Sequence, residues 1–167
     1  MNEGLTIVKC YGQEMLDQVA QLADEIWNEY YPCILSEEQI SYMVSSFQSG
    51  KAMDEQTRHQ HYEYYQLIID GQLVGYMGLQ FQPDRLFLSK LYIKKAYRGQ
   101  SLASSALEFA YELGRKQCYL SMFLRVNRNN AKALAFYQNK GFAIIEDEMT
   151  DIGQGYVMDD HVLELTL

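Results

Sequence analysis

Two stretches of this chain carry residues whose types and spacing could do chemistry. The first runs Leu91-Tyr92-Ile93-Lys94-Lys95-Ala96-Tyr97-Arg98-Gly99-Gln100-Ser101-Leu102-Ala103. A strand pattern gives way to a short basic loop, and small residues then open a helix. The free N–H groups and the positive dipole end of such a helix start make an anion site. Small side chains at Gly99, Ser101 and Ala103 would let a phosphate approach the backbone. An ordinary capped helix after a turn has the same local look. No GxxxxGK[ST] loop occurs, and Gly71, Gly75 and Gly78 do not make GxGxxG. The second stretch is Asn127 to Phe142, where Asn130 can cap a helix with Ala133, Leu134 and Tyr137 along one face. Tyr137 could donate a proton, although a helical tyrosine is otherwise a half-buried packing residue.

The elements that must position these residues can be read from periodicity. Residues 5–10 read as a strand, and 14–30 carry a helical stripe of Leu16, Val19, Ala20, Ala23, Ile26, Trp27 and Tyr30 that stops at Tyr31-Pro32. Ser36 and Gln39 make a capping-box start for a helix through Phe47, with Gly50 as its stop. Residues 51–61 show no clear period and read as loop or short helix. Strands at 62–69 and 72–82 flank Asp70-Gly71, the pair a tight type I′ turn wants. A strand at 85–93, a helix at 101–116 and a strand at 118–126 form a strand–helix–strand unit, which implies a parallel pair with a right-handed crossover. A helix at 130–140 and a closing hairpin of 142–150 and 156–167 complete the order β-α-α-β-β-β-α-β-α-β-β. The expected fold is one α/β (α+β) domain over residues 1–167, with a mixed, mostly antiparallel sheet flanked by helices.

Composition narrows the classes further. The chain has 167 residues, 48% of them hydrophobic and 22% charged, enough for a core and too apolar for disorder. No apolar run is long enough to span a membrane, and Met1-Asn2-Glu3-Gly4 lacks a basic leader, so a cytoplasmic protein is expected. Cys10, Cys33 and Cys118 form no CxxC pair, which fits a reducing compartment and buried structural thiols. His59-Gln60-His61 lacks a third ligand at suitable spacing, so no metal is expected. The 14 tyrosines could line a pocket for a cationic or aromatic acceptor, and half-buried strand positions account for most of them equally well. Net charge is −8, against general nucleic-acid or membrane-surface binding. Residues 90–140 nevertheless hold ten basic and two acidic residues, +8, against four basic and 20 acidic elsewhere, −16. That asymmetry suits one anionic ligand on the basic stretch, or simply a solvated positive face.

Together the two stretches resemble the GNAT superfamily of acyl-coenzyme-A-dependent N-acetyltransferases. Arg98 and Ala103 match the first and last positions of its Q/R-x-x-G-x-G/A phosphate loop, with Ser101 where glycine is usual. Asn130, Ala133, Tyr137, Gly141 and Phe142 match its N-x-x-A-x-x-x-Y-x-x-x-G-F helix. The spacing, strand order and length also fit, so the resemblance spans nearly the whole chain.

The resemblance implies acetyl-coenzyme A as cosubstrate. Its pantetheine arm would lie on the backbone of Leu91, Tyr92 and Ile93, splaying the parallel strands 85–93 and 118–126 apart. Its pyrophosphate would sit on the N–H groups of Arg98, Gly99, Gln100, Ser101, Leu102 and Ala103, with Ser104 nearby. Asn130 would touch the arm, and Tyr137 would face the thioester sulfur as the proton donor. The acceptor would be a small-molecule amine or a peptide amine, and a homodimer is compatible with the family. The strand 85–93 has no glutamate for a general base; Asp159, Asp160, Glu146, Glu148 and Glu29 are the available substitutes. The altered glycine and missing glutamate also fit a different class, an acyl-coenzyme-A sensor without turnover.

Overall fold

Asp70-Gly71 makes the turn its sequence asks for: φ is 48° at Asp70 and 75° at Gly71, and Ile69 pairs directly with Gln72. Two positive φ values in succession are the type I′ signature, whose twist matches the strands it joins. In this computed structural model, which describes residues 3–167, the turn links β2 (Tyr62–Ile69) to β3 (Gln72–Phe81). Met1 and Asn2, read above only for lacking a basic leader, lie outside the described residues. With β1 (Leu5–Lys9), β4 (Leu86–Ile93), β5 (Ser121–Asn127), β6 (Ala143–Gly153) and β7 (Tyr156–Thr166), these strands form a seven-stranded sheet in the order β1-β2-β3-β4-β5-β7-β6. Every neighbouring pair is antiparallel except β4–β5, which are joined by α4 (Leu102–Lys116) as the strand–helix–strand spacing requires.

Helices cover both faces of the β2–β4 half, so those strands read as nearly continuous apolar runs. On one face α4 buries Leu102, Ala106, Leu107 and Ala110 against Tyr65, Leu67, Met77, Leu79, Leu86 and Leu88. On the other, α1 (Gly12–Tyr30), α2 (Glu37–Phe47) and α3 (Gly50–His59) bury Val19, Ile26, Trp27, Ile40, Met43 and Met53 against Tyr64 and Tyr76. The buried polar groups here are paired: Trp27 Nε1 donates to Tyr76 Oη at 3.1 Å, and Tyr76 donates to Gln48 Oε1 at 3.0 Å.

Three local expectations are corrected. Gly50 does not stop α2; it opens α3, a full helix over most of the stretch that lacked a period, capped by Ser49, which accepts the Ala52 N–H at 3.1 Å. The signal is weak because Met53 is the only buried residue of α3. A Cβ at residue 50 would lie 2.0 Å from Asp17 Oδ1 on α1, so a larger residue there would turn the exposed Asp17 carboxylate aside. The final hairpin is tighter than expected: β6 runs through Gly153, and Gln154-Gly155 forms the turn with φ of 55° and 80°. Cys10 is buried, with its thiol pushed up to about 11 by desolvation, whereas Cys33 and Cys118 are exposed. Among the described residues no helix is long and apolar enough to cross a membrane.

Candidate active site

The parallel pairing of β4 and β5 is confined to Leu86–Met122 and Phe87–Phe123, where the two phenylalanines stack at 4.6 Å. Beyond that point the strands diverge. The facing edge of β4 is left without a ladder partner, and backbone groups on such an edge need other partners. A cavity of about 650 Å³ fills the gap, walled by β4, β5, the end of α1, α5 (Ala131–Asn139), and the β6–β7 hairpin. Tyr42 on α2 donates to the Ile152 carbonyl and stacks on Tyr156 at 5.2 Å, fastening α2 to the hairpin tip. At Gly153 φ is 91° and a Cβ would lie 2.6 Å from Tyr42 Oη, so a larger residue would strain the backbone and displace that hydroxyl.

A bulge in β4 decides which side chains enter this cavity. Gly78 pairs with Lys90 but Leu79 pairs with Leu88, leaving Ser89 as the extra residue. One extra residue reverses the alternation. Lys90 therefore leaves the face of Leu86 and Leu88 and joins Tyr92 on the side of α1–α3. There its Nζ donates to Gln56 Oε1 at 2.9 Å, to the Phe47 carbonyl at 3.2 Å and to Tyr64 Oη. Burial lowers the Lys90 ammonium to about 7. Sequence periodicity does not reveal this residue, since a bulge has no signature in a run such as Leu86-Phe87-Leu88-Ser89-Lys90.

The expected phosphate loop lies at the helix start beside the cavity. Ser101 adopts φ 62°, ψ 18°, the left-handed region that glycine enters freely, so the loop keeps with serine a conformation for which glycine is the easy residue. The Ser101 side chain does not cap α4. The first-turn N–H groups of Leu102, Ala103 and Ser104 have no intrahelical acceptor, and nothing lies within 4 Å of where a Gly99 Cβ would be. The Leu102 side chain packs into the core, so only its backbone is available to a ligand. Arg98 is fixed by an ion pair to Glu29 at 2.6 Å and by donation from Nε to the Ile93 carbonyl at 2.9 Å.

The basic stretch is less focused than its sequence suggested. Lys90 turns inward, Arg115 and Lys116 lie at the far end of α4, about 20 Å from its start. Arg125 pairs with Glu148 at 2.6 Å, and Arg128 with Asp159 and Asp147 at 3.2 and 3.4 Å. What favours an anion at the loop is the helix start and Lys95, since Lys94 and Arg98 are paired with Glu25 and Glu29 at 3.4 and 2.6 Å.

Leu91, Tyr92, Ile93, Arg98, Ala103, Asn130 and Tyr137 all line the one cavity, with Gly99, Gln100, Ser101, Leu102 and Ser104 in the adjoining loop and first turn. Asn130 Oδ1 is used within the protein, accepting from Tyr30 Oη at 2.7 Å and from the Ala133 N–H at 3.3 Å. Its amide nitrogen is the group left for a ligand. Tyr92 turns its ring into an aromatic cluster with Trp27, Tyr31 and Tyr76, and its hydroxyl shares a hydrogen bond with Tyr31 at 2.9 Å, leaving its backbone for the cleft. Tyr137 is half-buried between Phe136 and Phe142, with ring centroids 5.0 and 5.5 Å away, and its hydroxyl bonds to no described residue. Burial holds this phenol above its ordinary value, reinforced by Tyr31, Tyr111 and Tyr30.

Of the five carboxylates considered as bases, Glu29, Glu148 and Asp159 are held by arginines, and Glu146 is exposed on β6 outside the cavity wall. Asp160 differs. It lines the cavity at 4% exposure, and its Oδ1 is sealed from solvent without a hydrogen-bond partner.

The parallel pair splays apart, one of its two strands, β4, carries a bulge, and a helix start without a side-chain cap stands beside the gap. Residues 11–142 match the Acetyltransferase (GNAT) family, and the chain belongs to it. It is 28% identical over 150 residues to the spermidine N(1)-acetyltransferase of Thermoplasma acidophilum, covering 87% of this chain and 91% of that one. Its fold is shared with the PaiA N-acetyltransferase of T. acidophilum, solved in complex with coenzyme A, at TM-score 0.81 and 24% identity, covering 98% and 99% of the two chains. The ribosomal-protein-S18-alanine N-acetyltransferase of Escherichia coli aligns at TM-score 0.69 and 18% identity, over 97% and 93%. The chain is therefore an N-acetyltransferase that uses acetyl-coenzyme A.

Proposed function

We propose that residues 1–167 work as one catalytic unit that acetylates a primary amine by direct attack within a ternary complex. The observation that carries this reading is the single cavity on which the bare β4 edge, Asn130 and the unbonded Tyr137 hydroxyl converge. Acetyl-coenzyme A supplies an activated thioester whose leaving group is a thiolate. The chain's own residues do the rest. The loop from Arg98 through Ser104 holds the phosphates on backbone N–H groups. The backbone of Leu91, Tyr92 and Ile93 aligns the arm, the Asn130 amide nitrogen donates to it, and unpaired N–H groups of β4 polarise the acetyl carbonyl. The amine attacks as its neutral form, so the C–N bond forms as the C–S bond breaks; Tyr137 gives its proton to the leaving sulfur and regains one from the amine nitrogen, directly or through water.

An amine acceptor is supported by the relatives, whose names include a spermidine and a ribosomal-alanine acetyltransferase, and by the aromatic wall of Tyr30, Tyr31 and Tyr62. Membership in a family of enzymes favours turnover over the sensor reading. Initial-rate kinetics with both substrates varied, followed by thiol release over an amine panel, test the proposal. Intersecting double-reciprocal lines are expected; parallel lines would mean an acetylated enzyme and refute direct attack.

A further inference from the structure

Where β4 and β5 part, two neighbouring residues in the last turn of α1 reach both sides of the gap. On the β4 side, Glu29 pairs with Arg98 at 2.6 Å, and Arg98 Nε donates to the Ile93 carbonyl at 2.9 Å. On the β5 side, Tyr30 Oη donates to Asn130 Oδ1 at 2.7 Å, joining residues 100 positions apart. Both Tyr30 and Asn130 line the cavity. Their hydrogen bond fixes more than a distance. The Ala133 N–H can only donate, so the oxygen of the Asn130 amide must face it, and Tyr30 is then a donor to that same oxygen. With both acceptor positions filled, the amide plane is set and only its nitrogen is left for a ligand. The Ala133 bond is long, at 3.3 Å, so the shorter Tyr30 bond does most to hold the side chain. Tyr30 is itself held: its ring meets Tyr31 edge-on at 5.1 Å and lies 5.2 Å from the Arg98 guanidinium. Burial raises its phenol, Asn130 and Arg98 oppose the shift and Glu29 adds to it, so the hydroxyl stays protonated and remains a donor.

We propose that Tyr30 is a positioning residue for acetyl-coenzyme A, holding the Asn130 amide so that its nitrogen meets the arm of the cosubstrate without reorienting. The proposal rests on the reading above that this nitrogen donates to the arm. It goes beyond that reading by giving α1, which lies outside both segments that hold the cosubstrate, a part in binding it. A donor fixed before the ligand arrives loses no side-chain freedom when the ligand binds.

Tyr30→Phe keeps the ring and removes the one hydroxyl. By titration calorimetry it should weaken coenzyme A about fivefold, the worth of one neutral hydrogen bond, and by no more than Asn130→Ser does. Serine at 130 keeps a capping oxygen for α5 and removes the amide nitrogen. In the Asn130→Ser background, Tyr30→Phe should change coenzyme A affinity by less than about twofold, because the group it positions is gone. Adenosine 3′,5′-bisphosphate has phosphates and no arm. As a competitor of acetyl-coenzyme A it should inhibit the wild type and Tyr30→Phe equally, within about twofold. Unchanged coenzyme A affinity in Tyr30→Phe overturns the proposal, and so does tighter binding, which would make the hydroxyl an obstacle to the arm. Equal losses for coenzyme A and the bisphosphate overturn it too, since the hydroxyl would then only hold the fold. The same loss repeated in the Asn130→Ser background overturns it by showing that Tyr30 acts without Asn130. If Asn130→Ser alone leaves coenzyme A affinity intact, the reading of Asn130 as the partner of the arm fails, and this proposal falls with it. If Asn130→Ser weakens binding and Tyr30→Phe does not, only the role of Tyr30 fails.

Discussion

Replacing Tyr137 by phenylalanine deletes one hydroxyl and keeps the ring contacts with Phe136 and Phe142 at 5.0 and 5.5 Å. The hydroxyl bonds to no described residue, so its removal orphans no buried partner and the thermal midpoint should stay within about 1 °C. The rate is another matter. If the phenol hydrogen-bonds a sulfur gaining negative charge, its loss costs about 1.5–3 kcal/mol, or roughly tenfold to 150-fold. Full general-acid catalysis is worth about 10²–10⁴-fold. The two ranges meet near 10²-fold, and that is the expected fall in kcat at saturating acetyl-coenzyme A and amine. Because burial holds the phenol above its ordinary value, it stays protonated through the usual assay range and should impose no alkaline limb below pH 10. Coenzyme A affinity, measured by calorimetry, should not change, since the loop and the β4 backbone are untouched. A variant rate within threefold of wild type would show that water protonates the thiolate and would reduce Tyr137 to a packing residue. Equal losses in rate and affinity would refute the reasoning as well, because the hydroxyl would then be positioning the arm.

Ala103→Glu places a carboxylate in the first turn of α4 beside the cavity; it should raise the thermal midpoint slightly through the helix dipole while weakening coenzyme A at least tenfold by calorimetry. Ser101→Gly removes a left-handed serine worth about 1–2 kcal/mol of strain against roughly 0.5–1 kcal/mol of glycine entropy, so denaturant titration should find it neutral to about 1.5 kcal/mol more stable. Lys90 titrates near 7 folded and at its ordinary value unfolded, so the unfolded state binds the extra proton between those pH values. Stability should therefore rise with pH above 7, by up to about 1.4 kcal/mol per pH unit, and Lys90→Met should flatten that slope in thermal melts from pH 7 to 10.

Local chemistry was legible wherever a short segment sets its own backbone. Asp70-Gly71 makes its type I′ turn, Ser36 and Asn130 cap their helices, and β4, α4 and β5 form the parallel crossover that their order demands. The same holds for the cavity's main wall, because the loop and helix motifs place Arg98, Ala103, Asn130 and Tyr137 at fixed offsets from strand ends. Only the tertiary structure decided which charges are satisfied. In the sequence Glu29, Glu148, Asp159 and Asp160 are equivalent carboxylates; in the fold three meet arginines from distant elements and one meets none. Lys90 was hidden for a related reason, since the bulge at Ser89 that turns it toward Gln56 and Tyr64 is a matter of register between β3 and β4. Backbone conformation follows from neighbours a few residues away, whereas the environment of a side chain is set by strands and helices brought together over the whole length of the chain.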